Sequence, residues 1–266
     1  MSCLFLVLGT VRDVFAESTK PALESSHSKN GQGDPDGSHW KILFDGSSTK
    51  AFRGWNNEEF PSKGWVIEDG CLKCKKSNGR PNGGGGDIVT KESFSDFELR
   101  WEWRITPGGN SGVKYMVRKR NRFQQGQELF RGDDGKPLIG HEYQMLDDLN
   151  HPDAQNGPDR LTASFYQILP AKDGKTVLTG QFNRSKILVH GNLVEHWLND
   201  VKVLEYELGS QEILDAVGDS KYRFIERFGE KFEAPILFQD HGDEVWLRDI
   251  RIRPIVKYHS EITDNQ

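Results

Sequence analysis

The chain has 266 residues, with 35 Lys and Arg against 40 Asp and Glu, for a formal charge of −5. That balance argues against nucleic-acid binding, which needs a clustered basic face. No apolar run reaches the roughly 18 residues of a membrane-spanning helix, and three cysteines are too few for a disulfide framework. The 28 Gly, 7 Trp and 15 Phe suit a turn-rich β protein with an aromatic-lined surface better than a helical bundle.

Residues Leu4 to Val11 form a short apolar run, and Val14-Phe15-Ala16 ends it with small residues three and one before a cut after Ala16. The pattern predicts a secretory signal peptide over 1–16 and a secreted or periplasmic protein. No Lys or Arg precedes the run, and Arg12 and Asp13 interrupt it, so a frayed cytosolic end is the competing reading. Residues 17–38, rich in Ser, Gly, Asp and Lys without hydrophobic period, read as a disordered linker. The domain is expected over 39–257 and a tail over 258–266.

Within the domain, short strand-like runs alternate with Gly, Asp, Asn and Pro. Trp65–Glu68 and Gly70–Lys73 predict a hairpin about Asp69-Gly70, which makes Cys71 and Cys74 structural residues of one strand. Phe97 to Ile105 alternates apolar and charged residues over nine positions, a strand with one dry face. Further strands are expected at 112–117, 142–146, 164–169, 185–190, 193–198, 201–207, 236–239 and 245–253, with a tight turn at Asn199-Asp200. Residues 210–228 are the helical candidate, with Ser210 as N-cap. The sum predicts an all-β, two-sheet antiparallel jelly-roll sandwich with one or two short helices.

Alternation sorts the candidate chemistry. In His141 to Asp147, Glu142, Gln144 and Leu146 face one way and His141, Tyr143 and Met145 the other. A carboxylate and an amide two apart suit sugar hydroxyls or an acid/base site, or simply make an exposed polar face. Glycines surround Asn110 and Ser111, and Lys114 emerges beyond them, able to bind an anion or polarise a carbonyl. His241 stands in a turn as a base, a metal ligand or a structural His. Arg248 alternates with buried-looking residues and could orient an oxyanion or pair with Asp249. The oxygen-rich segment 147–153 reads either as a Ca²⁺ loop or as a capped turn. There is no GxSxG, no HExxH and no ExDxE strand.

In order, the segments WKILFDG at 40–46, Gly54-Trp55, WVIEDG at 65–70, FEL through Trp103-Arg104, GNSGVKY at 109–115, EYQMLD at 142–147, HPDA at 151–154 and HGDEVWLRDIRI at 241–252 form a series. This series resembles the 3-keto-disaccharide hydrolase family across roughly 39–254. Where the family carries Phe-Arg-Asn-Ile near its end, this chain carries Leu247-Arg248-Asp249-Ile250 and keeps the Arg. The resemblance implies a concanavalin-like fold, export, and action on glycosides whose C3 hydroxyl a separate sugar 3-dehydrogenase has oxidised.

The implied chemistry is proton abstraction at C2, elimination of the C1 substituent and addition of water. On that reading Glu142 or His241 is the base, and Lys114 and Arg248 serve the enolate oxygen. Asn110, Gln144 and Tyr166 orient hydroxyls, and Trp55 or Trp65 stacks on a sugar ring. The sequence demands no cofactor and leaves a divalent metal open. The partner is a carbohydrate, with no nucleic acid and no membrane span. Competing readings on the same fold are a non-catalytic carbohydrate-binding module and a conventional glycoside hydrolase or polysaccharide lyase.

Overall fold

The computed structural model describes residues 39–77, 84–119, 122–124, 127–130, 138–172 and 176–255, with backbone alone at 122–130. The predicted leader, linker and tail lie outside the described residues. The strands are β1 (Lys41–Phe44), β2 (Phe52–Gly54), β3 (Trp65–Glu68), β4 (Cys71–Cys74), β5 (Ile88–Phe94), β6 (Phe97–Ile105), β7 (Asn110–Arg118), β8 (Arg122–Gln124), β9 (Gln127–Phe130), β10 (Ile139–Leu146), β11 (Asn183–His190), β12 (Leu193–Leu198), β13 (Val201–Glu207), β14 (Ala234–Phe238) and β15 (Val245–Pro254). One α-helix, α1, spans Gln211–Asp219.

The strands form an eight-stranded sheet, ordered β13-β12-β11-β6-β15-β4-β3 with β1 on β15, and a five-stranded sheet, ordered β10-β7-β14-β5-β2. Every pairing is antiparallel. In β6, Phe97, Leu99, Trp101, Trp103 and Ile105 are buried while Arg100, Glu102 and Arg104 are partly exposed, so the alternation is realised except at Glu98, which is buried under its arginine partners. From the other sheet, Val113, Tyr115, Tyr143, Met145, Ile236 and Phe238 meet them. Trp101 and Tyr143 touch edge to face with centroids 5.0 Å apart, a contact worth about 0.5–1.5 kcal/mol beyond its area. Asp69 and Gly70 (φ 50° and 70°) and Asn199 and Asp200 (φ 48° and 68°) supply the left-handed pairs that close the two predicted hairpins. Cys71 and Cys74 are buried free thiols, and burial raises the pKa of both.

Two elements differ from expectation. Residues 164–169 are not a strand: Phe165 makes isolated bridges to Tyr143 and Leu169. Ala163 and Gln167 stand at φ 65° and 61°, so the chain turns sharply on each side of it. The helix stops at Asp219 rather than running to 228. Ser220 ends it by bonding the Val217 carbonyl through both its N–H (3.0 Å) and its Oγ (2.8 Å). The start is as expected, with the Ile213 N–H donating to Ser210 Oγ. β5 carries no period-2 signal, because its burial runs in blocks rather than in alternation.

Candidate functional site

The outer face of the five-stranded sheet carries a groove of about 290 Å³. Its floor follows from register: Glu142 of β10 pairs with Lys114 of β7, and Gln144 with Gly112. Lys114 Nζ lies 3.4 Å from Glu142 Oε2, with both side chains mostly buried. Gly112 has no side chain to compete for this space. A Cβ there would stand 2.5 Å from Glu142 Oε1, so the carboxylate lies flat across the glycine. The expected split of β10 holds: Glu142 and Gln144 line the groove, while His141, Tyr143 and Met145 are buried on the core side.

Asn110, Gln144 and Gln239 also line the groove, and each has a buried side-chain oxygen with no hydrogen-bond partner. An unpaired buried polar group costs about 1–3 kcal/mol. Three such oxygens at one groove are unused hydrogen-bond acceptors. Asn110 is fixed from behind, its backbone N–H donating to Asp243 Oδ2 at 3.1 Å. Gln239 is fixed by its N–H to the Gly112 carbonyl at 2.9 Å.

His241 lines the same groove, half-buried, and burial holds it below its ordinary pKa against the opposing pull of Glu142 and Asp243. Its ring faces His151 edge-on with centroids 6.3 Å apart. Tyr166 forms a wall, its hydroxyl donating to Asp153 Oδ2 at 2.7 Å.

Two ionisable residues belong here that the sequence did not single out. Asp87 is buried, and one of its oxygens accepts the Asp240 N–H at 2.8 Å. Burial pushes its pKa up to about 6, against the pull of the Lys114 ammonium. Lys221 stands at the mouth, 4.7 Å from the Tyr166 ring and 5.0 Å from the Tyr222 ring. Desolvation by these walls lowers it to about 8, with Glu142 opposing and Lys114 reinforcing the shift. Asp240 sets the loop: its oxygens accept the N–H groups of Gly86 and Gly242, both at 3.1 Å. No local motif marks Asp87 or Lys221, because one follows a glycine run and the other lies in a turn after the helix.

Three expected site residues stand elsewhere. Arg248 is on β15 of the other sheet, on its outer face, paired with Glu102 at 2.6 Å and stacked on Phe182 at 3.7 Å. Trp65 is buried in the core, donating to the Gly86 carbonyl at 2.8 Å, so its ring offers no sugar platform. Trp55 packs half-buried on Val89, Val117 and Leu237 and does not line the groove. The aromatic walls are Tyr166 and Tyr222 instead.

The oxygen-rich loop is a capped turn. Asp147 accepts from Gly108, Leu149 and Asn150 N–H groups, Asp148 from Thr162, and Asp153 from Arg160, Asn156 and Tyr166. Among the described residues no three His, Cys, Asp or Glu side chains are grouped to hold a metal ion. Among the described residues no helix is long and apolar enough to cross a membrane.

The fold is a jelly roll of the glycosyl-hydrolase-like class, and the relatives below make the chain a sugar-acting enzyme. Among solved structures, a glycosyl hydrolase assigned in Parabacteroides distasonis ATCC 8503 matches with a TM-score of 0.68 and 25% identity, over 82% of this chain and 94% of that one. A second structure of that description and source matches at 0.57 and 25%, over 82% and 100%. A 3-keto-disaccharide hydrolase of Bacteroides thetaiotaomicron is 37% identical over 237 residues, covering 83% of this chain and 79% of the relative. Residues 39–253 match the 3-keto-alpha-glucoside-1,2-lyase-like domain, and the chain belongs to that family.

Proposed function

We propose that this chain cleaves 3-keto disaccharides by eliminating the C1 substituent and adding water. The observation that carries the reading is the Glu142–Lys114 pair, 3.4 Å apart on the groove floor. In a 3-keto glycoside the acidic hydrogen is on C2 and the carbonyl oxygen on C3. A base and a cation held about 3–4 Å apart reach both at once. The 37% identical relative bears the matching name.

The steps follow from this geometry. Glu142 takes the C2 proton, and the C–H electrons move into the C2–C3 bond as the C3 oxygen becomes an enolate. Lys114 donates a hydrogen bond to that oxygen. The enolate electrons return to form C1=C2, and the C1–O bond breaks. Lys221, at the mouth, is positioned to give the departing oxygen a proton. His241, kept neutral near pH 7 by burial, accepts a proton from the water that adds at C1, and Glu142 returns its proton to C2. His241 passes its gained proton through solvent to Lys221, which restores both groups, and the net change is hydrolysis. Asn110, Gln144 and Gln239 accept hydrogen bonds from ring hydroxyls, and Tyr166 walls the ring.

The reading includes export, supported by Leu4–Val11 and the ending at Ala16, and a separate dehydrogenase that makes the ketone. Turnover of a 3-keto-glucoside beside its unoxidised parent, with and without EDTA, tests it. Cleavage of the keto form alone, abolished in Glu142→Gln, supports the reading. Binding of both sugars with cleavage of neither moves the protein to a binding module. Loss of cleavage with EDTA contradicts a route that uses protein side chains alone.

A further inference from the structure

The outer face of the eight-stranded sheet holds a second cleft, of about 330 Å³, away from the groove described above. It crosses β12, β11, β6 and β15 at the point where β15 bulges. Its register slips between Arg248 and Arg251, and Asp249 takes φ 47°. Across this cleft the register places Trp197 opposite Lys186, Lys186 opposite Arg100, and Arg100 opposite Arg251. Three cations thus stand side by side on adjacent strands. Like charges directly opposite one another destabilise a sheet.

The carboxylates nearby do not balance the row. Arg100 is held by Glu98 through Nε at 2.6 Å and Nη2 at 2.5 Å and lies over the Trp40 ring at 4.9 Å, but Glu98 is shared with Arg253 at 2.7 Å. Glu102 is engaged by Arg248, Asp200 by Arg184, and Glu195, which also acts on Lys186, by Trp197 Nε1 at 2.7 Å and Lys202 at 3.2 Å. Among the described residues Arg251 has one carboxylate partner, the exposed Asp249 at 3.9 Å; its guanidinium lies over the Trp40 ring at 5.2 Å, and its buried Nε has no hydrogen-bond partner. Lys186 has no carboxylate partner among the described residues, and its ammonium rests on the Trp197 ring at 3.6 Å. Burial lowers its pKa, with Glu98 opposing and Arg100 reinforcing the shift.

We propose that this cleft is a second binding site, for an oxyanion, in which Lys186, Arg100 and Arg251 together hold a carboxylate or sulfate group. Arginine and lysine side chains that line one cleft give charge-assisted hydrogen bonds to such groups. The anion also removes the repulsion that the register imposes. The chemistry fits a free ion or an acidic group on a saccharide.

Calorimetric titration of the full chain tests this, using inorganic sulfate, a uronic-acid oligosaccharide, a sulfated oligosaccharide and a neutral oligosaccharide of equal length. The site predicts that acidic probes bind at physiological ionic strength and that Lys186→Gln with Arg251→Gln weakens them about tenfold or more. Sulfate binding as tightly as the acidic oligosaccharides identifies a free-ion site; tighter binding of the oligosaccharides identifies a saccharide site. The substitutions relieve repulsion, so the melting temperature stays level or rises, and turnover at the other groove is unchanged. Acidic probes that bind the double variant as well as the wild type, or that bind neither, overturn the proposal.

Discussion

The carboxylate of Glu142 occupies the space a side chain at Gly112 would take, 2.5 Å from where that Cβ would stand. The pair couples β10 to β7 at the groove floor, beside the Glu142–Lys114 contact. Gly112→Ala should therefore push the carboxylate aside without breaking the ladder. Misplacement by about 1 Å costs roughly a hundredfold in turnover. The check is kcat beside thermal melting: activity falls while the melting temperature barely moves. An active alanine variant contradicts the assigned position of the base.

The unpartnered amides make a second prediction, of opposite sign for stability and function. Gln144 is 1% exposed and its side-chain oxygen has no partner. Gln144→Met fills the same volume without an orphaned oxygen, so the protein should gain about 1 kcal/mol or more in chemical denaturation. KM for the keto-disaccharide should rise about tenfold, the loss of one hydroxyl hydrogen bond.

Arg248 is predicted to be silent. It is exposed, and its pairing with Glu102 belongs to the far sheet. Exposed pairs contribute about 0–1 kcal/mol, so Arg248→Gln should cost no more than that and leave turnover of the keto-disaccharide unchanged. A large kcat loss with normal melting would return Arg248 to the chemistry.

These contrasts show where the sequence was legible. Alternation in β6 and β10 sorts core from surface correctly, because a strand has only two faces. Hence Glu142 and Gln144 share the groove, and Asn110, Lys114, His241 and Tyr166 join them. Alternation cannot tell which of two sheets a strand enters, so Arg248 looked equivalent to Lys114. Nor does it separate a buried Trp from a solvent-facing one when both begin strands or turns, as with Trp65. Asp87 and Lys221 owe their character to burial and to neighbours distant in sequence. Asp249, which the sequence offered only as a partner for Arg248, holds a left-handed φ of 47°, a conformation that Asn and Asp tolerate well.

The core carries an acid-sensitive element. His196 Nδ1 donates to the Ala163 carbonyl at 2.8 Å, and its Nε2 accepts from the Tyr115 hydroxyl at 2.9 Å. His141 Nε2 accepts the Gly229 N–H at 3.0 Å. Burial lowers His141 from 6.5 to about 3 and His196 from 6.5 to about 4. Below pH 6.5 the unfolded chain binds protons that the folded one refuses, so stability is full above 6.5 and falls with pH. The loss reaches about 1.4 kcal/mol per unit per His, through pH 4 for His196 and pH 3 for His141. Urea midpoints between pH 7 and 4.5 should show it. His141→Gln keeps an acceptor for Gly229 and should change the slope by the His141 share, against a background to which His241 adds and Asp87, raised to about 6, opposes; an unchanged slope contradicts the assignment.

The most direct test of the elimination chemistry is the rate of cleavage of a 3-keto-disaccharide carrying deuterium at C2, against its protiated twin. Abstraction of the C2 proton by Glu142 predicts a several-fold slower kcat/KM for the deuterated sugar, with cleavage abolished in Glu142→Gln. Equal rates for the two isotopologues, together with an active Glu142→Gln, would contradict it.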